Sequence, residues 1–254
     1  MGDVLFCDFD GPIADVSDRY YSTYLSALNS TQAAYAARGI HLPIRQLTKA
    51  QFWHMKQNRV PDTAIADGSG LSDAETEYFL NRVAELVNQP TLLYQDQIQP
   101  GAKAALKMLH ALGVKVVIVT LRQASQVRDF LHKHGLATNI HAIYGAEDAA
   151  TAYPNRIEHK VVQLRTAIAV QQSLGCRTAT SWMVGDTEAD ICAGQAAGLQ
   201  TIALRCGIRS AAYLRGFQPT HLLRDLYAAA EFFIAHQSML ARVQRPVSWM
   251  GTNS

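Results

Sequence analysis

Polar side chains of types that bind phosphate groups and hard cations follow three short apolar runs of this sequence. They are Asp8 and Asp10 after residues 4–7, Thr120 after residues 114–119, and Asp186 after residues 182–184. Apolar runs this short are typical of the buried strands of a parallel sheet. Because ligands of such sheets bind beyond the carboxyl ends of the strands, we expect these side chains to meet at one site.

The acidic residues predict a cation site. Asp8 and Asp10 lie two positions apart, whereas Asp186 and Asp190 lie four apart, a spacing that places both on one helix face. Carboxylates packed together repel one another unless a hard divalent cation such as Mg²⁺, which also coordinates phosphate, compensates them. Taken singly, the same residues also fit a simpler interpretation, in which Asp8 and Asp10 stabilise a surface turn and Asp186 caps a helix.

Thr120 and Lys160 could supply the remaining contacts to a phosphate. A hydroxyl at Thr120, followed by free backbone N–H groups, can bind a phosphate oxygen. Lys160 can neutralise both a phosphate and a neighbouring carboxylate. Alone, Thr120 is also compatible with a helix cap, and Lys160 with a solvated helix surface, so the prediction depends on the four residue types occurring together.

The elements that must position these residues alternate between strands and helices. We predict strands over residues 4–7, 114–119, 142–144, 182–184, 200–204 and 220–223, and helices over 102–112, 124–134, 158–173, 189–197 and 225–235. Short connections between alternating strands and helices imply right-handed crossovers and a parallel sheet covered on both faces. The predicted fold class is therefore α/β, with a doubly wound parallel sheet.

A second, smaller unit is predicted between the first strand and the rest of the sheet. Residues 17–88 contain apolar and aromatic residues at three- and four-residue spacing, with Thr48 and Ser72 as candidate helix N-caps. We therefore expect an all-helical cap inserted after the first strand. The predicted division is an α/β core of residues 1–14 and 98–236, a helical cap of residues 15–97, and a C-terminal tail of residues 237–254.

Composition narrows the class of partner. The formal net charge is only +2, so a nucleic-acid or membrane partner is not expected, and the partner predicted from the site is a small phosphorylated metabolite. The four cysteines are scattered and form no C-x-x-C pair, which favours reduced thiols and a cytoplasmic location. Nothing in the sequence predicts the oligomeric state.

In order along the chain, these residues resemble the four motifs of the haloacid dehalogenase superfamily, and specifically its phosphoglycolate-phosphatase type. The matching features are the run Asp8-Phe9-Asp10-Gly11, Thr120 after a strand, Lys160, and the run from Gly185 to Asp190. The resemblance covers residues 3–10 and 99–226. The helical segment after the first motif resembles the helical cap of that family, and Leu121 stands where many relatives have Asn.

The resemblance implies a role for each residue. Asp8 would be the nucleophile that attacks phosphorus, and Asp10 the general acid that later acts as a base. Mg²⁺ would be held by Asp8, Asp186 and the main-chain carbonyl of Asp10, with Asp190 assisting. The phosphoryl oxygens would be bound by Thr120, Lys160 and the backbone N–H of Leu121.

Three other functions on the same fold are the alternatives to be weighed. A dehalogenase would lack the second acid of the first motif, which Asp10 supplies. A phosphomutase would use the same core, and a catalytically silent phosphate-binding regulatory protein would have broken motifs. Within the cap, Lys56 and Arg59 could contact an anionic leaving group, although a solvated helix face explains them equally well.

Overall fold

The computed structural model describes residues 2–147 and 157–243. Its main sheet has six strands in the spatial order β5-β4-β1-β6-β7-β8, and all neighbouring pairs are parallel. These strands are β1 (Asp3–Cys7), β4 (Lys115–Gln123), β5 (Ala142–Ala146), β6 (Arg177–Gly185), β7 (Gln200–Leu204) and β8 (His221–Leu223). The predicted α/β parallel sheet is thus confirmed.

Helices cover both faces of this sheet. The core helices are α6 (Ala102–Ala111), α7 (Ala124–Lys133), α8 (Ile157–Ser173), α9 (Glu188–Ala196), α10 (Ala211–Arg215) and α11 (Leu226–Val243), with a 3₁₀ turn at Ala137–Asn139. Along β1, Leu5 and Cys7 point to one apolar cluster, whereas Val4 and Phe6 point to another. This alternation is the period of two that a strand imposes on its side chains. A sheet buried on both faces explains why the strands are continuous apolar runs.

Five helices lie between β1 and β4 in the chain. They are α1 (Ser17–Ala36), α2 (Lys49–Gln57), α3 (Asp62–Gly68), α4 (Asp73–Leu86) and α5 (Pro90–Leu93). Thr48 and Ser72 cap α2 and α4, each in a capping box, as their types and positions predict. The helices share an apolar cluster of their own, which includes Tyr24, Phe52 and Phe79. The exact division at residues 15 and 97 stays a prediction.

Several predicted boundaries were wrong. β4 continues through Thr120 to Gln123, with irregular pairing to β5 after Val119, and β6 begins at Arg177 rather than Trp182. The pair β2 (Ala14–Asp15) and β3 (Gln97–Ile98), an antiparallel ribbon on either side of the five helices, was missed. Two-residue strands are too short to produce a sequence period.

The last helix is longer than predicted. α11 continues to Val243 instead of ending near Ala235, so it includes the first residues of the predicted tail. The remainder of that tail, residues 244–254, lies outside the described residues. Across the parts of the chain that are described, no helix is both long and apolar enough to cross a bilayer. The cytoplasmic location stays a prediction.

Candidate active site

The ends of β1, β4 and β6 bring the predicted residues to one cavity of about 340 Å³. Its lining includes Asp8, Asp10, Thr120, Lys160 and Asp186. β1 ends at Cys7, so Asp8 follows it directly, and Asp186 directly follows β6. Because β1 lies between β4 and β6, the two aspartates and the threonine come from three adjacent strands.

Asp8 is oriented by two contacts to the same oxygen. Its Oδ1 accepts a hydrogen bond from the Phe9 N–H at 2.8 Å and forms an ion pair with Lys160 Nζ at 2.8 Å. Burial and the charge of Asp190 raise the pKa of Asp8 to about 7, although Lys160 opposes that shift. A further positive charge beside Asp8 would lower its pKa and favour the ionised carboxylate.

Lys160 lies near the beginning of α8 and is buried between two acids. Its Nζ contacts Asp8 Oδ1 and Asp190 Oδ1, each at 2.8 Å, and the residue is only 2% exposed. Burial alone would lower the pKa of Lys160, but the charges of Asp190 and Asp8 outweigh it and raise the pKa. The solvated-lysine interpretation is therefore wrong, and Lys160 is a permanent cation of the site.

The simpler interpretations of Asp186 and Thr120 also fail. The N-cap of α9 is Thr187, whose hydroxyl and N–H both donate to Asp190 Oδ2, at 2.7 and 3.1 Å. Asp186 is therefore free of the capping role, and its Oδ2 accepts from the Ile208 N–H at 2.6 Å. Thr120 lies within β4 rather than at a helix N-cap, and it is buried.

Asp8, Asp186 and Asp190 form a cluster that fits a divalent cation. One oxygen of each lies within 4.8 Å of the others, and all three residues are buried. Asp186 Oδ1 is fully buried and has no hydrogen-bond partner among the described residues. Burial, followed by the charges of Asp8 and Asp190, raises the pKa of Asp186 well above its usual range. Lys160 pairs with Asp8 and Asp190 but not with Asp186, and a hard cation would balance the excess negative charge of the three acids.

Asp10 lies apart from this cluster, between two arginines. Its oxygens pair with Arg19 at 3.0 Å and Arg122 at 2.9 Å. Both arginines also bind the fully buried Asp96, each at 2.8 Å. Burial favours a higher pKa for Asp10, but the charges of Arg122 and Arg19 outweigh it and lower the pKa. The Asp10 side chain is therefore an ionised acceptor in this arrangement.

The segment after β7 completes the site, although no motif in the sequence indicated it. A Cβ at Gly207 would overlap the Asp186 carboxylate, and so would a Cβ at Gly11. Gly11 has, in addition, a φ of +95°, which disfavours any residue with a side chain. Gln99 holds the same segment in place, because its Nε2 donates to the carbonyls of Gly11 at 2.9 Å and Cys206 at 3.0 Å. Absence of a side chain at Gly207 is thus what allows Asp186 its position.

The cap residues singled out from the sequence also line the cavity, but each is engaged in an ion pair. Lys56 contacts Asp62 at 2.8 Å, and Arg59 contacts Glu188 at 3.0 Å. Glu188 also binds Arg209 at 2.8 Å, and Arg209 donates in turn to the Lys56 carbonyl at 3.0 Å. The contact between Arg209 and the Lys56 carbonyl joins the end of α2 to the segment after β7. Leu121 lines the same cavity beside Thr120.

The functional residues that sequence analysis missed are mostly charged partners of other residues. They are Arg19, Asp96, Gln99, Arg122, Glu188, Gly207 and Arg209. Two of them had a local signal, since Arg122 lies two residues beyond Thr120 in the same strand and Glu188 lies within the run from Gly185 to Asp190. The others are brought to the site only by the tertiary fold.

A doubly wound sheet with an acidic cluster beyond its central strands fits a hydrolase, and comparison with known proteins identifies the family. The sequence profile of the haloacid dehalogenase-like hydrolases matches residues 4–204. The chain therefore belongs to this family, which confirms the resemblance of its four motifs.

Two curated relatives within the family have sequences similar to this chain. A pyrophosphatase, PpaX, from Halalkalibacterium halodurans is 30% identical over 200 residues, which span 74% of this chain and 89% of that protein. A phosphoglycolate phosphatase from Pseudomonas fluorescens is 26% identical over 165 residues. That match spans 64% of this chain but only 56% of the relative, little more than half its length.

Solved structures confirm the fold. A haloacid dehalogenase-like family hydrolase from Streptococcus pneumoniae superimposes with a TM-score of 0.63 over 91% of this chain and 98% of that chain. The two sequences are 18% identical, so this likeness concerns the architecture alone.

Proposed function

We propose that this protein is a magnesium-dependent phosphatase that hydrolyses a small phosphomonoester through an aspartyl-phosphate on Asp8. The observation that carries the proposal is the placement of Asp8 beside one fixed cation, Lys160, and within one acidic cluster with Asp186 and Asp190. A carboxylate held in this way can attack phosphorus once positive charge balances the incoming phosphate. The names of the curated relatives, a pyrophosphatase and a phosphoglycolate phosphatase, support phosphate ester or anhydride chemistry.

The reaction would proceed in two transfers. First, an oxygen of Asp8 forms a bond to phosphorus while the bond from phosphorus to the leaving alcohol oxygen breaks. Asp10, which its arginine partners hold ionised in the free protein, would take up a proton from solvent when the phosphate dianion binds beside it and would give that proton to the leaving oxygen. Asp10 then takes a proton from a water molecule, whose oxygen attacks the same phosphorus. The bond between phosphorus and Asp8 breaks, which releases inorganic phosphate and restores the carboxylate.

The remaining residues position the phosphoryl group. Lys160 and the Thr120 hydroxyl would bind its oxygens, together with the backbone N–H of Leu121. Asp8, Asp186 and Asp190, with the main-chain carbonyl of Asp10, would hold Mg²⁺, which supplies charge stabilisation to the transferring group. Catalysis would then depend mainly on positioning and electrostatics, as is typical of phosphoryl transfer.

The direct test of the proposed function is phosphate release with and without divalent metal. We expect free inorganic phosphate and the free alcohol in equal amounts when Mg²⁺ is present. Release should fall to background in excess chelator, because three buried acids oppose the binding of a phosphate dianion, and it should return when Mg²⁺ is restored. Full activity in chelator would contradict the proposal.

The same assay separates the alternative functions. A solved structure described as a β-phosphoglucomutase from Bacteroides vulgatus shares the fold, at a TM-score of 0.57 and 16% identity. A phosphomutase would return the phosphate to a sugar phosphate and release little of it, whereas a silent regulatory protein would bind phosphate without any turnover. Stoichiometric release of phosphate therefore favours the phosphatase over both.

Metal binding can be tested without activity through Asp186→Asn. Without metal, we expect the variant to gain about 1 kcal/mol, or roughly 2–4 °C in Tm for a chain of this size, because one of three mutually repelling acids is removed. Wild-type protein should gain about 2.7 kcal/mol when Mg²⁺ is present at a hundred times its Kd. The variant should lose most of that gain.

The measurement is Tm by calorimetry with and without Mg²⁺. Asp67→Asn, at an exposed position of α3, is the matched control and should respond to Mg²⁺ like the wild type. An unchanged Mg²⁺-dependent rise in Asp186→Asn would show that the cation binds elsewhere.

A further inference from the structure

The cavity beside Asp8 extends away from the acidic cluster into the helical segment. At that end its lining is apolar and aromatic and comprises Tyr24, Phe52, Ile65, Phe79, Val83 and Val87. Tyr24 stacks on Phe52 with ring centroids 5.0 Å apart and meets Phe79 edge-on at 6.1 Å. A volume of about 340 Å³ exceeds the lower limit of roughly 300 Å³ for small-molecule sites, so the cavity has room beyond a phosphate.

The hydroxyl groups of Tyr24 and Thr23, which line this part of the cavity, are occupied by protein partners. The Tyr24 hydroxyl bonds to Ser69 Oγ at 2.8 Å and accepts from the Leu47 N–H at 2.9 Å, so only the carbon surface of its ring faces the cavity. The Thr23 hydroxyl donates to the Arg19 carbonyl at 2.8 Å. A polar leaving group would thus find few partners there, and its desolvation would be uncompensated.

The cations that line the cavity are likewise paired with carboxylates. They are Arg19 and Arg122 with Asp10 and Asp96, Lys56 with Asp62, Arg59 and Arg209 with Glu188, and Lys160 with Asp8 and Asp190. A carboxylate on the leaving group would have to compete with a protein carboxylate for one of these cations. The described residues therefore provide no free cation for an anionic leaving group.

We infer that the substrate is a phosphomonoester whose leaving group is uncharged and carries an apolar body about the size of a six-membered ring. The inference rests on the phosphatase function proposed above and adds the class of substrate. The phosphate would lie at Asp8 and Lys160, and the apolar body against Phe52, Phe79 and Val83. This class differs from that of a relative named for phosphoglycolate, whose leaving group carries a carboxylate.

Binding of inert phosphonates to wild-type protein with Mg²⁺ tests this inference without turnover. 2-Phenylethylphosphonate and 3-phosphonopropionate both carry a two-carbon chain on the phosphonate. The chain ends in a phenyl ring in the first compound and in a carboxylate in the second. By calorimetry we expect the ring compound to bind at least about tenfold more tightly, since burying even one methylene group commonly changes recognition by that factor. Equal binding, or tighter binding of the carboxylate, would overturn the inference.

Kinetics with Val83→Phe locate the apolar body. The larger side chain should occupy the apolar end, so kcat/KM for benzyl phosphate should fall at least about tenfold more than kcat/KM for methyl phosphate. Leu80→Phe is the matched control, because Leu80 lies on the same helix and packs in the apolar cluster of the cap without lining the cavity. An equal loss for both substrates in Val83→Phe, or the same selective loss in Leu80→Phe, would overturn the placement.

The failure of this inference and that of the proposed function have different signatures. If wild-type protein releases no phosphate from benzyl phosphate, methyl phosphate or 2-phosphoglycolate with Mg²⁺, the phosphatase proposal fails. If it hydrolyses 2-phosphoglycolate with a higher kcat/KM than benzyl phosphate, the phosphatase proposal stands and the apolar substrate class is wrong. Both esters have a primary alcohol as the leaving group, so intrinsic reactivity does not decide the comparison.

Discussion

Asp8→Asn should fold normally and lose essentially all turnover. We expect a loss of more than about 10⁴-fold, which corresponds to more than about 5 kcal/mol of activation free energy, because an amide is a poor nucleophile of nearly the same size. The amide oxygen can still accept from the Phe9 N–H and from Lys160. Removing one charge from three crowded acids should leave the stability equal or higher.

Single-turnover kinetics and Tm provide the measurements for Asp8→Asn. Wild-type protein quenched in acid during turnover should carry phosphate on the peptide that contains Asp8, and the variant should carry none. Asp129→Asn, at an exposed position of α7, is the control and should match the wild type in rate and stability. A rate within about tenfold of the wild type would show that another residue is the nucleophile.

The strand ends could be predicted because local sequence determines them. A buried parallel strand reads as an apolar run, and the residue that follows it must lie at the edge of the sheet. Asp8 and Asp186 are examples, since each directly follows a strand of the described sheet. The helix caps at Thr48 and Ser72 were predicted for the same reason, because a cap is formed within four residues.

The surroundings of Asp10 could not be predicted, because they depend on contacts between distant positions. Arg19 and Asp96 are 77 positions apart, and Arg122 and Asp10 are 112 apart. Asp96 precedes a two-residue strand in a polar stretch that has no periodicity of its own. The sequence shows only which charges are neighbours along the chain. At this buried site, the charges that are close in space determine whether Asp10 is ionised.

The same limit applies to the acidic cluster and the segment around Gly207. Spacing alone put Asp186 and Asp190 on one helix face, but in the fold Asp186 precedes the helix and Asp190 belongs to its capping box. Their carboxylates still converge on Asp8, because β6 ends and α9 begins at the same edge of the sheet. Only the tertiary fold reveals that a side chain at position 207 would displace Asp186.

The second large effect is expected for Asp10→Asn. The variant should slow turnover of an alkyl phosphate by about 10²–10⁴-fold, which is typical of a lost acid–base group. Its Mg²⁺ affinity should be nearly unchanged, because the Asp10 side chain pairs with Arg19 and Arg122 instead of joining the acidic cluster. Calorimetric titration with Mg²⁺ measures the affinity, and single-turnover kinetics measure the rate.

The loss should depend on the leaving group and on the step. The aryloxide of an activated aryl phosphate can leave without a proton. Phosphoryl transfer from this ester to Asp8 should therefore be slowed less than transfer from an alkyl phosphate. Hydrolysis of the phosphorylated Asp8 still needs a base, so this species should accumulate in Asp10→Asn when the aryl ester is used. Acid quenching and quantification of the phosphorylated protein give its amount directly.

Asp96→Asn is the control that separates proton transfer from the arginine network. Asp96 binds the same Arg19 and Arg122 but lies outside the cavity lining. If Asp10 acts in proton transfer, Asp96→Asn should lower the free energy of unfolding. Any change in the rate of phosphoryl transfer to Asp8 should then be the same for alkyl and aryl esters. If instead Asp10 only fixes the two arginines, both variants should slow the alkyl and aryl esters equally. A large loss of Mg²⁺ affinity in Asp10→Asn would identify its side chain as a metal ligand and contradict the assignment of acid–base chemistry to it.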